Sequence, residues 1–136
     1  MKPLLIYLIC FASLFASAKK KHTSQNLTGT YTLSKQFNRG QLLPVKKVQT
    51  KISIDQTNHT ILCNVGCNSI SGAFSATRNK IEPLQLISTE MSCGNLLDQL
   101  EATFAENLRK VNRYRLVNTN LNLLEDEVIL IVLKRK

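Results

Sequence analysis

The chain has 136 residues, of which 43% are hydrophobic, 20% are charged and 6% are aromatic. This is the length of about one domain, and the composition excludes an intrinsically disordered protein and a protein built from long membrane-spanning helices. The formal net charge is +9, from 18 basic and 9 acidic residues, and its distribution along the chain decides which partners it favours.

Residues 1–18 have the three-part layout of a secretory signal peptide. Lys2 supplies a positive charge, residues 4–15 form an almost unbroken apolar run, and residues 16–18 (Ala-Ser-Ala) form a cleavage site. The apolar run is shorter than the about 20 residues that a transmembrane helix needs. A lipoprotein is the weaker alternative, because no small residue precedes Cys10 and the apolar run continues beyond it. We therefore predict an exported protein, periplasmic or secreted, that is cleaved after Ala18.

Most of the excess positive charge lies at the two ends of the predicted mature chain. We predict a basic, flexible tail over residues 19–26, and residues 134–136 are Lys-Arg-Lys. Without the signal peptide and the six basic residues at these ends, 11 basic and 9 acidic residues remain, a net charge of +2. Because a nucleic-acid binder concentrates basic residues on one face, we predict no nucleic-acid partner. The tails favour only a weak, salt-sensitive contact with an anionic membrane surface.

The first half of the predicted mature chain alternates polar and apolar residues, the pattern of half-buried β-strands. Gly, Asn and Pro residues interrupt the pattern and predict turns, including a turn-rich loop over residues 38–44. The predicted strands cover residues 29–34, 47–55, 60–65, 70–76 and 80–87. Pro83 predicts that the last of these is an edge strand or begins irregularly, because proline has no backbone N–H to donate.

A single helix is predicted, over residues 95–111. Its apolar residues recur at three- and four-residue spacing and form one stripe: Leu97, Leu100, Phe104, Leu108 and Val111. Asn95 is the predicted N-cap, and Asp98 lies in the first turn, where the helix dipole favours negative charge. Glu101 falls one position off the apolar stripe, which predicts a flanking or solvated residue.

Three more strands are predicted after the helix, over residues 114–117, 121–124 and 128–133. Their connections are short, which favours antiparallel hairpins. The last strand is apolar on both faces and is predicted to be central or covered. The pattern predicts an α+β fold, a single domain in which one helix (about 95–111) packs on a strongly curved antiparallel sheet or partial β-barrel.

Three cysteines remain after the predicted signal peptide. Cys67 and Cys93 lie in predicted turns, whereas Cys63 lies within a predicted strand. Two cysteines in turns approach each other without disrupting a strand ladder, and in an exported protein an available pair tends to be oxidised. A disulfide between Cys67 and Cys93 stabilises by about 3–4 kcal/mol in the chain-entropy description. It leaves Cys63 as a free thiol.

Zinc binding is the competing hypothesis for the same residues. Zinc prefers the side-chain types found at four positions: His59, Cys63, Cys67 and Cys93. Their spacing suits one face of a helix, but this segment is predicted as strand and turn, and the short Cys-x2-Cys knuckle is missing. We predict neither a metal site nor a cofactor.

Catalytic motifs are absent from the sequence. His22 and His59 are the only side chains of the ordinary neutral-pH base type, and His22 lies in the predicted tail. The nucleophile elbow, the phosphate-binding loop and the zinc-protease motif are missing. Glu82, Glu90 and Glu101 form an acid pair only if the fold brings two of them together. We therefore predict that the protein is not an enzyme and has no catalytic residues.

Two well-spaced motifs resemble those of the META domain, the HslJ-like family. Residues 66–74 (GCNSISGAF) match Gly-Cys-Asn-x-x-x-Gly-x-Tyr/Phe, and residues 88–93 (STEMSC) match Ser/Thr-Thr-x-Met-x-Cys. Glu101 follows at the spacing of the family, although the usual Trp of the opening strand is absent. The resemblance covers residues 27–136, nearly all of the predicted mature chain.

This resemblance implies a disulfide between the two motif cysteines, Cys67 and Cys93, in agreement with the argument from the predicted turns. It also implies structural roles for six further motif residues: Gly66, Asn68, Gly72, Thr89, Met91 and Glu101. The two glycines are expected to provide backbone freedom around the disulfide, and Asn68 is expected to hold its turn through its side chain.

Members of the family are usually exported or envelope proteins, some of them induced by heat shock, without an established catalytic activity. The resemblance and the predicted signal peptide together favour an exported, non-enzymatic, stress-related protein that acts by binding another envelope protein. The alternative is a small module that holds an apolar ligand or lipid between the helix and the curved sheet.

Overall fold

The computed structural model describes residues 25–45 and 48–136. The predicted signal peptide and residues 19–24 of the predicted tail lie outside the described residues. In chain order, the elements are β1 (Gly29–Asn38), β2 (Gln41–Leu43), β3 (Thr50–Asp55), β4 (Thr60–Val65), β5 (Ser69–Thr77), β6 (Lys80–Ser88), α1 (Asn95–Lys110), β7 (Arg113–Val117), β8 (Asn120–Glu125) and β9 (Val128–Arg135).

Eight of the strands form a closed antiparallel barrel. The strands from β3 to β9 pair in sequence order, and β1 closes the barrel by pairing with both β3 and β9. β1 closes the barrel with its first eight residues, since Gly29 to Tyr31 pair with β3 and Tyr31 to Gln36 pair with β9. The α+β class, the curved sheet and the single packed helix are confirmed, and the sheet is a closed barrel rather than a partial one.

The pairing between β6 and β7 is the weakest step around the barrel. It consists of one residue pair, Lys80 with Arg113, flanked by backbone bonds from Ile81 N–H to Asn112 O and from Tyr114 N–H to Asn79 O. Beyond this point β6 pairs with β5 on one side only. The edge position predicted from Pro83 is therefore confirmed.

The barrel interior is filled by side chains. Inward residues of the strands form one core with the apolar stripe of α1, in which Leu100, Phe104 and Leu108 are buried. Tyr31 is also fully buried and donates its hydroxyl hydrogen to Leu27 O at 2.8 Å. Each such large side chain contributes about 1.5–3 kcal/mol through burial.

Two local predictions are wrong. The predicted loop over residues 38–44 contains β2, which pairs with the end of β1 through a turn at Arg39 and Gly40. Asn95 is not the N-cap of α1, because the helix is preceded by Gly94 at φ 99° and has no side-chain cap at that position. The strand predicted from residue 47 begins at Thr50, and Lys47 lies outside the described residues.

The last strand has the predicted central position. β9 pairs with β8 on one side and with β1 on the other, and its consecutive residues Ile131, Val132 and Leu133 are buried. Across residues 25–45 and 48–136, no helix combines the length and apolar character needed to cross a membrane.

Candidate functional site: a groove beside the disulfide

The two motifs meet where the β4–β5 turn contacts the loop between β6 and α1. A disulfide joins Cys67 in the turn to Cys93 in the loop, with a Cα–Cα distance of 6.5 Å. This is the disulfide predicted from the turn positions and implied by the family resemblance. It joins the start of α1 to a segment 26 residues earlier in the chain.

Glu101 binds the same turn from the inner side of α1. Its Oε1 accepts hydrogen bonds from Cys67 N–H at 2.5 Å and Asn68 N–H at 2.9 Å, and its Oε2 accepts one from Asn68 Nδ2 at 2.6 Å. The residue is 8% exposed. The prediction that Glu101 is a flanking or solvated residue is therefore wrong, because a turn 33 residues earlier in sequence supplies donors to its carboxylate.

Asn68 extends this contact to the second motif. Its Oδ1 accepts hydrogen bonds from Thr89 Oγ1 at 3.0 Å and Met91 N–H at 2.8 Å, and its Nδ2 also donates to Met91 O at 2.8 Å. Thr89 Oγ1 in turn accepts from Ser69 N–H at 3.0 Å. One amide side chain therefore connects the turn, the loop and the helix.

Each motif glycine lies where a side chain would meet another atom. Gly66 has φ +121°, a region that favours glycine, and a Cβ there would overlap Glu101 Oε1. A Cβ on Gly72 would lie 2.8 Å from Leu84 O and 3.1 Å from Gln85 O. Gly72 faces the irregular register of β5 and β6, where Gln85 adopts φ 49°. Both glycines thus permit a close approach of other groups.

Asp98 orders the loop before the helix, although it does not occupy the N-cap. Its carboxylate accepts hydrogen bonds from Cys93 N–H and Ser92 Oγ, each at 2.8 Å. These bonds lower the pKa of Asp98, with the Cys93 backbone bond the larger cause. Serine before the helix and aspartate in its first turn are a sequence signal for this arrangement, but Asn95 was the closer match to an N-cap.

A groove of about 440 Å³ opens beside this junction, between the end of β6 and α1. Its floor includes the buried residues Val65 and Ile70, and the helix contributes two alanines and an arginine to its wall. Together with Asp98, these helix residues recur at three- and four-residue spacing, which is how the sequence alone indicates a second helix face: Asp98, Ala102, Ala105 and Arg109. Met91 lies at the rim and is 60% exposed.

A second, more apolar groove of about 350 Å³ lies on the other side of the start of α1. It is lined by apolar residues from β2, the following segment and the helix, with one glutamine: Leu43, Pro44, Val48, Leu96, Leu97, Gln99 and Leu100. Leu96 is 82% exposed, whereas Leu100 is part of the core. The apolar stripe of α1 therefore extends from the core onto the surface.

Cys63 is a free thiol and is buried inside the barrel on β4. Burial raises its pKa to about 12, so it is a weak nucleophile. Within the described part of the chain, no three His, Cys, Asp or Glu residues lie close enough to hold a metal ion together. Cys67 and Cys93 are bonded to each other, which removes two of the four ligands of the zinc hypothesis.

The comparisons with known proteins agree with this fold. A family model described as the META domain matches residues 25–136. A structure described as "NMR structure of the protein from Burkholderia xenovorans" has a TM-score of 0.66 and 17% sequence identity, over 79% of this chain and 81% of that chain.

A second structure, described as "NMR structure of the protein", has a TM-score of 0.58 and 22% identity, over 79% of this chain and 88% of that chain. At these identities the two structures support the barrel fold alone. No curated protein gave a significant match. Because the family model spans the whole described barrel and both cysteine motifs, the chain belongs to the META domain family.

Proposed function

We propose that this META-domain protein is an exported, non-enzymatic and stress-related protein of the cell envelope that acts by binding another envelope protein. The observation that carries the proposal is the open groove between β6 and α1. One wall of the groove is fixed by the disulfide and by the contacts of Asn68 and Glu101, so the surface is held in shape before a partner binds.

Export is supported by two independent features. The sequence begins with the layout of a signal peptide, and the Cys67–Cys93 disulfide is typical of proteins that fold in oxidising compartments.

A binding role rather than catalysis is supported by the chemistry of the groove. Its buried carboxylate, Glu101, has its oxygens directed at N–H donors of the β4–β5 turn and is occupied structurally. His59 lies at the far end of β4 in the β3–β4 turn, where its ring contacts Phe74 edge-on at 6.5 Å. No neutral-pH base among the described residues lines the groove.

Photo-crosslinking tests the proposal in the producing cell. Benzoylphenylalanine at Met91, on the groove rim, is expected to capture a specific envelope protein, whereas the same probe at the exposed Val117 is not. Ala102→Arg, which fills the groove, is expected to abolish capture, and Gln99→Arg on the other side of the helix is expected to preserve it. Equal capture at both positions, or capture that survives Ala102→Arg, contradicts the proposal.

A second candidate function, binding of an apolar ligand or lipid, is favoured by the apolar groove beside β2. The space between the helix and the barrel is filled by Leu100 and Phe104, so this ligand would lie along Leu96 and Leu97 instead. Native mass spectrometry of the exported protein is expected to detect bound organic mass, which Leu97→Glu removes and Val117→Glu retains. Loss of ligand in both variants, or in neither, contradicts this candidate.

A further inference from the structure

The outer edge of β6 is an unused strand edge along the groove. Thr89 N–H donates to Ser69 O, so the backbone groups of Thr89 face β5. Since these directions alternate along an antiparallel strand, the N–H and C=O groups of Leu86 and Ser88 face away from β5. Beyond Lys80, β6 has no second strand partner within the described residues. Two residues therefore offer backbone donors and acceptors at the spacing that an added strand requires.

The space beside this edge suits an extended chain. The groove floor is apolar at Val65 and Ile70, and Ala102 and Ala105 leave the helix wall without large side chains. An added strand directs alternate side chains inward and outward, so an inward apolar side chain would lie on this floor. Exposed apolar Ile87, which is 71% exposed, adds contact area at the outer edge.

The charges along the groove differ at its two ends. Glu90 and Asp98 line the end of the groove near Ser88. At the opposite end, Arg109 also lines an adjoining cavity of about 440 Å³, to which Lys80 and Lys110 contribute. Glu82 is the acidic residue of this adjoining cavity. An extended partner that complements these charges carries a basic residue near Glu90 and an acidic residue near Arg109.

We propose that this groove binds an extended segment of a partner protein, which adds to β6 as an antiparallel strand. An antiparallel direction places the N-terminal end of the segment near Glu90 and its C-terminal end near Arg109. The segment therefore carries a basic residue first, an apolar residue at its centre and an acidic residue last. This inference rests on the proposed function, because it states how the envelope partner is bound.

The test uses the oxidised protein and a blocked, fluorescent peptide of about seven residues, which is within the usual range of strand lengths. The peptide has lysine first, valine at the centre, glutamate last and threonine elsewhere. Binding is measured by anisotropy together with amide hydrogen exchange. We expect slower exchange at Leu86 and Ser88 in the complex, with no change at Val117 on β7. Binding without protection at Leu86 and Ser88, or no binding at about 1 mM peptide, overturns strand addition.

N-methylation of the peptide isolates its backbone contribution without altering the protein. Methylating alternate amides gives two peptides, and only one set of amides faces β6. We expect one peptide to bind more than about tenfold more weakly than the other, which corresponds to about 1.4 kcal/mol. Equal affinities overturn the proposal.

Variants of the protein then test the groove and its polarity. Ala102→Arg is expected to abolish peptide binding, and Gln99→Arg, with the same added charge, is expected to preserve it. Arg109→Glu is expected to weaken the peptide that ends in glutamate and to favour one that ends in lysine. If Arg109→Glu changes the affinity of neither peptide, the proposed polarity is wrong.

The two proposals fail in distinguishable ways. If the probe at Met91 captures an envelope protein but the two methylated peptides bind equally, the result supports partner binding and contradicts strand addition. If Met91 captures no protein, the proposed function itself falls.

Discussion

Two polar clusters connect distant parts of this chain, and they differ in burial. At the disulfide junction, defined here as the β4–β5 turn, the loop before α1 and Glu101, a nearly buried carboxylate accepts three hydrogen bonds. In the turn between β8 and β9, Glu127 bridges Arg113 of β7 at 2.8 Å and Arg115 of β7 at 3.5 Å, but its side chain is 69% exposed. Water competes with the second cluster, so the first is expected to contribute far more stability.

The largest predicted effect at the junction is that of Gly66→Ala. The substitution places a Cβ against Glu101 Oε1 at a positive φ, so backbone strain adds to the loss of the carboxylate contacts. We expect the free energy of unfolding in urea to fall by about 4 kcal/mol. Gly40→Ala is the control, since Gly40 also has positive φ but has open space around it. Equal losses of stability in the two variants would show that backbone strain, and not the loss of the Glu101 contacts, accounts for the effect.

Removal of the disulfide has the next largest predicted effect. Replacing both cysteines, Cys67→Ser with Cys93→Ser, frees a long loop in the unfolded chain and lowers the free energy of unfolding by about 3 kcal/mol. Urea unfolding with and without reductant measures this change. The reductant is expected to destabilise the wild-type protein and to leave the double variant unchanged. A reductant effect on the double variant would contradict the assignment of the disulfide.

Glu101→Gln tests the carboxylate directly. The new amide keeps one acceptor but turns a donor toward the N–H groups of the turn, so we expect a loss of about 2 kcal/mol in urea unfolding. Glu106→Gln provides the matched control on the same helix, where an exposed glutamate pairs with Lys110 at 2.6 Å. We expect an almost unchanged unfolding midpoint for the control. Comparable losses of stability in the two variants would mean that burial does not determine how much each glutamate contributes.

Local patterns predicted most of the strands, the helix and the disulfide. Strand alternation and the α1 stripe are short-range signals, and Cys67 and Cys93 are marked by their turns. The family resemblance implied a structural role for Glu101, whereas helical spacing predicted a flanking or solvated residue, because that spacing describes only the helix itself. The donors to its carboxylate come from residues 33 and 34 positions away, which no local period encodes.

Barrel closure was missed for a related reason. It depends on the register of β1 with β9, in which Tyr31 meets Arg135 at the opposite end of the chain. The short strand β2 has three residues without a buried member, so it gives no alternation to detect. The open edge of β6 was partly predictable, because Pro83 marks a position without a backbone donor.

Acid titration tests the contribution of Asp98 at the start of α1. The folded-state pKa of Asp98 lies below its ordinary value of 3.8, mainly because Cys93 N–H donates to it. Its stabilising contribution is therefore complete above that value and is lost as the pH falls through the lower folded-state pKa. We expect Asp98→Asn to flatten part of the acid-side loss of stability in urea unfolding from pH 5 to 2. An unchanged slope would contradict a structural role for this carboxylate.

The smallest predicted effect belongs to the exposed cluster. Glu127→Gln removes both ion pairs, yet we expect the free energy of unfolding to change by less than about 0.5 kcal/mol, because all three side chains remain hydrated. Urea unfolding at low and high salt measures this, and the difference between variant and wild type should shrink further as salt screens the pairs. A loss equal to that of Glu101→Gln would overturn the comparison, since number of contacts rather than burial would then determine the stability of each cluster.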